Sequence, residues 1–188
     1  MKEIEILVEV YEDIEKVKKS LKKYDHIGLK HTIDEYYYDP KRKDLKPDKN
    51  NQLSHCLRLR SKNNDYYITY KDDVFDKGKW LYSNEYETKV ESIDMLREIF
   101  KKIGLVKFIE IDNEKEIYST DKYEIAVENV KGLGIFMEVE YCTNDDVDVN
   151  EVKKEINKFI DDLNIKVSQE LNMGKPEMYL RKYNIEIK

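Results

Sequence analysis

Two short runs of alternating acid carry the first chemical signal. In Lys2 to Tyr11, Glu3 and Glu5 alternate with Ile4, Ile6 and Val8; in Ile135 to Cys142, Glu138 and Glu140 share a face with Phe136, opposite Met137, Val139 and Tyr141. At a period of two, each run is a strand with one apolar and one acidic face. An ordinary half-buried strand alternates in the same way with its polar residues in water. The carboxylates gain chemical meaning where two such strands face each other, because two Glu-x-Glu strands then converge on one cation. A basic counterpart lies between them. Ser54 to Ser61 sets Leu57 and Leu59 against Arg58 and Arg60, and after a turn at Asn63, Asn64 and Asp65 the next strand puts Tyr67, Thr69 and Lys71 in phase. Glu85, Glu87, Lys115 and Glu128 fall at matching positions of later strands. Crowded carboxylates raise one another's pKa unless a divalent cation neutralises them, and hard oxygen ligands suit magnesium or manganese. The basic wall of Arg58, Arg60, Lys71 and Lys115 suits phosphate, which arginine pairs bidentately. A cation bridging phosphate oxygens to carboxylates holds a polyphosphate in line for attack.

The elements that must position these groups follow from the same periodicity. Asp13 caps a helix reaching about Tyr24, with Ile14, Val17 and Leu21 on one stripe. Strands are expected at Leu29 to Asp39, Ser54 to Ser61, Tyr66 to Lys71, Trp80 to Val90, Leu105 to Ser119, Tyr123 to Asn129 and Gly134 to Cys142. Ser92 and Asp94 open a helix through Ile103 that Gly104 closes. The tail reads as an amphipathic helix from Val149 to Leu163, a helical turn near Ser168 to Leu171, and a last segment from Pro176. About eight antiparallel strands thus repeatedly oppose an apolar face to a charged one. An open sheet with its charged face in water satisfies that pattern; closing the sheet puts the charged faces in a shared lumen where water, metal and anion satisfy them. The expected fold is α+β, an eight-stranded antiparallel closed barrel with helices packed outside.

Composition bounds the rest. The 188 residues fit one domain, are 40% hydrophobic and 39% charged, and carry a net charge of −6, with basic residues scattered among acids. That excludes a disordered chain and gives no basic stripe for duplex nucleic acid. No apolar segment approaches a membrane span and the first residues lack a signal-peptide core, so a cytoplasmic location is expected. Cys56 and Cys142 stand far apart without metal spacing and are read as buried thiols, and His26, His31 and His55 form no ligand pattern.

These residues together resemble the CYTH superfamily, the class IV adenylate cyclase and thiamine triphosphatase group also described as triphosphate tunnel metalloenzymes. The resemblance covers nearly the whole chain. It rests on Glu3-Ile4-Glu5, Glu35-Tyr36-Tyr37-Tyr38-Asp39, Leu57-Arg58-Leu59-Arg60, Thr69-Tyr70-Lys71, Glu85-Tyr86-Glu87 and the run from Val130 to Glu140. It implies an eight-stranded barrel with Glu3, Glu5, Glu138 and Glu140 near a magnesium or manganese ion and with Arg58, Arg60 and Lys71 gripping phosphates. Glu85, Glu87 and Glu128 match further tunnel acids. Three positions depart: the family's opening Glu-x-Glu-x-Lys has Leu7 for its lysine, an arginine before the paired acids falls at Ser83, and a Lys-x-Arg appears as Asn113-Glu114-Lys115. The basic clamp is thinned, and a lysine restored at position 7 is expected to raise triphosphate binding if the barrel is a weakened enzyme.

The resemblance implies metal-dependent processing of a nucleoside or organic triphosphate, with ATP, inorganic triphosphate or thiamine triphosphate as substrate and either cyclisation or hydrolysis as reaction. The alternative is a catalytically degenerate barrel that binds a phosphorylated metabolite or a cation, since fold does not fix function. A homodimer is compatible with the sequence, which does not set the oligomeric state.

Overall fold

The computed structural model describes residues 1–187. Its strands are β1 (Lys2–Glu9), β2 (Asp25–Tyr38), β3 (His55–Lys62), β4 (Asp65–Asp76), β5 (Lys79–Val90), β6 (Val106–Ser119), β7 (Glu124–Val130) and β8 (Gly134–Thr143). Its helices are α1 (Ile14–Leu21), α2 (Ile93–Ile103), α3 (Val149–Asp162) and α4 (Lys175–Lys182). Local chemistry sets most of these bounds. The Asp13 carboxylate accepts the Glu15 amide and the Ser92 hydroxyl accepts the Met95 amide, capping α1 and α2. Gly104 ends α2 in the left-handed conformation at φ 93°, which a residue without Cβ adopts freely. Asn63 turns the β3–β4 hairpin at φ 55°.

The strands close into a barrel in the order β1-β5-β4-β3-β2-β6-β7-β8, with every neighbouring pair antiparallel. The seam is uneven. β1 pairs with β8 along its whole length, from Lys2 opposite Thr143 to Glu9 opposite Phe136, but meets β5 only at Lys2 and Glu3. The remaining β1 edge is taken by the chain after α3: Val167 bridges to Val10, the Ser168 amide donates to Glu9 O at 2.9 Å, and the Leu171 amide donates to Leu7 O at 3.0 Å. The helical turn expected at Ser168 to Leu171 is therefore absent. Unpaired strand carbonyls at a closing barrel seam need donors, and an extended segment supplies them where a helical turn would keep its amides for itself.

Three apolar clusters hold the barrel. Outside β1, β7 and β8, side chains including Ile4, Ile6, Ile125, Met137 and Val139 pack under Val17 and Leu21 of α1 and Ile156 and Ile160 of α3. Each such side chain, fully buried, contributes about 1.5–3 kcal/mol. Outside β2 and β3, Tyr37 and Leu59 pack on Ile93 and Phe100 of α2. The third cluster sits at one end of the barrel, where Leu7, Tyr36, Ile109, Ile111, Val130 and Phe136 surround Leu180 of α4. Thus α1 to α3 lie outside, as the apolar stripes require, whereas α4 caps an end. Both cysteines are free; Cys56 is half-buried and Cys142 exposed, so the expectation of two buried thiols fails. Among the described residues no helix is long and apolar enough to cross a membrane.

Candidate functional site

In-phase side chains of all eight strands line a cavity of about 310 Å³ inside the barrel. β1 presents Glu3 and Glu5, and β8 presents Glu138 and Glu140, with Glu5 opposite Glu140 and Leu7 opposite Glu138 in register. In the order of the barrel β3 lies diametrically across from β8, so Arg58 and Arg60 face the β8 acids. Lys71, Glu85, Glu87 and Lys115 line the same space. Glu128 does not reach the cavity: it is fully buried, taking hydrogen bonds from Asn113, from Lys115 at 3.0 Å and from Lys175 at 3.0 Å.

The charges are densely paired. Lys71 bonds Glu3 and lies 2.8 Å from Glu85. Arg58 donates to Thr69 at 3.1 Å and to Glu87 at 3.2 Å, and Arg60 grips Asp34 through two bonds of 2.7 Å. Glu5 has no ion-pair partner among the described residues. Three buried polar atoms of residues that line the cavity, Arg58 Nε, Thr32 Oγ1 and Trp80 Nε1, have no hydrogen-bond partner in the protein, a state that water or ligand ordinarily relieves. Glu35, by contrast, lies outside the lumen's network and is held by Arg97 and by the Tyr37 hydroxyl at 2.6 Å.

The CYTH domain profile matches residues 1–171. The chain belongs to the CYTH family. It is 31% identical over 166 residues, 88% of this chain and 91% of the other, to a Methanocaldococcus jannaschii protein whose name assigns it provisionally to the adenylate cyclases. A Pyrococcus horikoshii structure, PH1819, superposes with a TM-score of 0.78 at 22% identity, covering 95% of this chain and 99% of its own. A Hippeastrum protein described as an adenylyl cyclase candidate with a dominant triphosphatase activity superposes with a TM-score of 0.64 at 14% identity, covering 98% and 97%. Both structures share the fold.

Several residues of this CYTH lumen escape sequence reasoning, among them Asp34, Asp73, Lys175 and Glu177. Asp34 is on the alternation of β2, in phase with Thr32 and Tyr36, and could have been found there. Asp73 likewise extends the Thr69 and Lys71 face and accepts from Ser83 at 2.6 Å. Lys175 and Glu177 come from the start of α4, where no strand period marks them. Lys175 reaches down from the capped end to bond Glu138 at 2.6 Å and Glu128 at 3.0 Å. The lumen therefore regains, from the C-terminal helix, a cation beside the acids that Leu7 fails to supply. Ser83 and Asn113, where the family carries bases, each neutralise nothing and instead donate one hydrogen bond to an acid.

Burial, and then the neighbouring carboxylates Glu138 and Glu3, hold Glu5 well above the usual carboxylate range. Glu3 is raised in the same direction, burial outweighing the attraction of Lys71. Burial also pushes on Glu138, but Lys175 and Lys115 more than offset it and hold that carboxyl well below the usual range. Glu85 falls to about 2, because Lys71 and Arg58 overcome its desolvation. Burial and crowding thus make Glu3 and Glu5 costly to keep charged, a cost that a hard cation relieves. Among the described residues no three carboxylate, imidazole or thiol groups are gathered to coordinating distance. The donors are hard carboxylate oxygens, which suit a hard divalent cation, with lysine ammoniums sharing the acids.

Glu177 gives a separate pH signature. It is nearly fully buried, accepts from the Leu53 amide at 3.3 Å, and burial pushes its carboxyl up to about 7 from 4.5. The folded state then binds the proton that the unfolded state has released between those values, so stability is fully present below pH 4.5 and is lost as pH rises through about 7. At about 1.4 kcal/mol per unit the loss approaches roughly 3 kcal/mol. Urea titrations of wild type and Glu177→Gln at pH 5 and pH 8 are expected to differ by 2–3 kcal/mol in their pH dependence; parallel profiles would remove Glu177 as the titrating group.

Proposed function

We propose that this CYTH barrel binds a triphosphate with a divalent cation, magnesium or manganese, and cleaves it at phosphorus, hydrolysis of a phosphoanhydride being the reaction the geometry supports best. The observation that carries this reading is the meeting of an acidic wall, Glu3, Glu5, Glu138 and Glu140, and a basic wall, Arg58, Arg60, Lys71 and Lys115, across one closed lumen. Held by those four acids, the cation would polarise phosphoryl oxygens and neutralise charge that develops on them. Arg58 has a buried Nε without partner and is the first candidate to bind an equatorial oxygen. Asp34 fixes the Arg60 guanidinium, so that its free edge is pre-oriented. Lys175, standing between Glu138 and Glu128, is able to turn its ammonium to a terminal phosphate. Glu5, held above the usual carboxylate range by burial and by Glu138, is the acid whose crowding a bound cation would relieve, and the apolar cap around Leu180 keeps bulk water from that end.

Hydrolysis is favoured over cyclisation because the end of the lumen away from α4, beyond the triphosphate, is lined by Lys30, Thr32 and Lys62, groups that suit further anion better than a stacked base. The names of the relatives span both reactions. Binding without turnover is the second reading, favoured by the internal pairing of Lys71 and Arg60. Incubation with ATP, inorganic triphosphate and thiamine triphosphate, in magnesium and then manganese, is expected to release orthophosphate. Cyclic nucleotide with pyrophosphate would assign cyclisation, and calorimetric binding without product would assign the sensor. In the same assay Lys175→Met is expected to weaken triphosphate affinity about 10- to 100-fold, the effect of one hydrogen bond to a charged group.

A further inference from the structure

The lumen's basic residues are not all spent on acids. β2 runs from Lys30 through Thr32 and Asp34 to Tyr36, which belongs to the apolar cap; β3 runs from Cys56 through Arg58 and Arg60 to Lys62. Because the strands are antiparallel, with Thr32 opposite Lys62 in register, Lys30 and Lys62 meet at the end of the barrel away from α4. Both line the cavity. Neither has a carboxylate within ion-pair distance among the described residues; the Lys62 ammonium lies 5.8 Å from the centre of the Tyr67 ring. Between them Thr32 is 1% exposed, and its hydroxyl has no hydrogen-bond partner in the protein.

We infer that Lys30, Thr32 and Lys62 form an outer anion subsite that takes the phosphates beyond the third of a linear polyphosphate chain whose reacting end lies among Arg58, Arg60 and Lys71. This rests on the triphosphate reading and extends it to substrate length. The in-phase residues of a strand recur every two positions, about 6.6 Å apart, so Arg58, Arg60 and Lys62 make a basic row along the barrel wall. Arg60 is neutralised by Asp34, and the row's outermost member is free. Burial and the repulsion of Lys30 and Arg60 hold Lys62 below the usual lysine range, with Glu124 and Glu87 opposing them from β7 and β5. Lys115, opposite Lys30 in register, is occupied by Glu128. A bridging anion converts the repulsion between the two ammoniums into two attractions and gives the Thr32 hydroxyl an acceptor. A sugar or base at the same place would leave both ammoniums uncompensated.

Calorimetric titration with tripolyphosphate and with a longer linear polyphosphate, in EDTA and in magnesium, tests this. Wild type is expected to bind the longer chain about 10-fold tighter. Lys30→Gln/Lys62→Gln should lose that gain and keep its tripolyphosphate affinity, whereas Lys101→Gln/Lys102→Gln, with the same charge change on α2, should retain it. Equal affinity of wild type for the two chains overturns the subsite, as does a gain that survives in the first variant or vanishes equally in the second. If neither chain binds, the triphosphate reading itself falls.

Discussion

Exchanging Glu5 and Glu138 together for glutamine is expected to abolish divalent-cation binding, at least 100-fold in affinity. One residue comes from each strand of the closing pair, and after burial their mutual repulsion contributes most to the raised state of Glu5. Removing both takes two of the four acids and half the negative charge of that wall, which a hard ion needs for oxygen coordination. The protein should survive the change. Glutamine keeps the volume and the acceptor oxygen, Lys175 retains Glu128 as partner, and relief of carboxylate crowding offsets the lost Lys175 pair. Calorimetry with magnesium and manganese reads the loss, and thermal melts read the fold: a metal-induced rise in Tm is expected for wild type and none for the variant. Unchanged cation binding in a folded variant would take these residues out of the site.

Leu7→Lys is expected to destabilise the protein by about 3–5 kcal/mol, the scale of an uncompensated buried charge. Its position in phase with Glu3 and Glu5 suggests from sequence alone that a lysine there improves phosphate binding. The packing argues otherwise. Leu7 is 2% exposed and sits with Tyr36, Phe136 and Leu180 in the cap that seats α4. An ammonium placed there must either desolvate among these side chains or push α4 outward to reach Glu138, its cross-strand neighbour. Either course unseats Lys175, which begins the same helix. A lower urea midpoint and weaker triphosphate binding are both expected, and Leu7→Met, which conserves volume, should cost under about 1.5 kcal/mol. If Leu7→Lys kept its stability and bound triphosphate more tightly, α4 would not be the element that compensates for the missing strand lysine. Pairing Leu7→Lys with Lys175→Met separates the cases, since a lysine that reaches Glu138 would restore binding lost by the single Lys175 variant.

Which side chains share a face is legible in the sequence alone. Alternation along β1, β3, β4, β5 and β8 put Glu3, Glu5, Arg58, Arg60, Lys71, Glu85, Glu87, Glu138 and Glu140 on lumen faces, and all of them line the cavity. Capping chemistry placed the starts of two helices at Asp13 and Ser92 and the end of the second at Gly104, whereas α1 ends at Leu21, short of the expected Tyr24. These are local properties, fixed by a strand period of two and by the unsatisfied groups at helix ends. What lies across from a face is not local. Only closure of β1 on β8 brings Glu5 against Glu140, and only the long return of the chain after α3 places Lys175 against Glu138, 37 residues away along the sequence. The same return makes Ser168 to Leu171 an edge segment rather than a helical turn, because its amides satisfy β1 carbonyls. It also turns Leu7 from an absent base into a packing residue. Glu128 has the phase of a lumen acid yet ends buried beneath two lysines and Asn113. Partners for a buried charge are chosen by three-dimensional proximity, and proximity in a barrel is set by register and by what plugs its end.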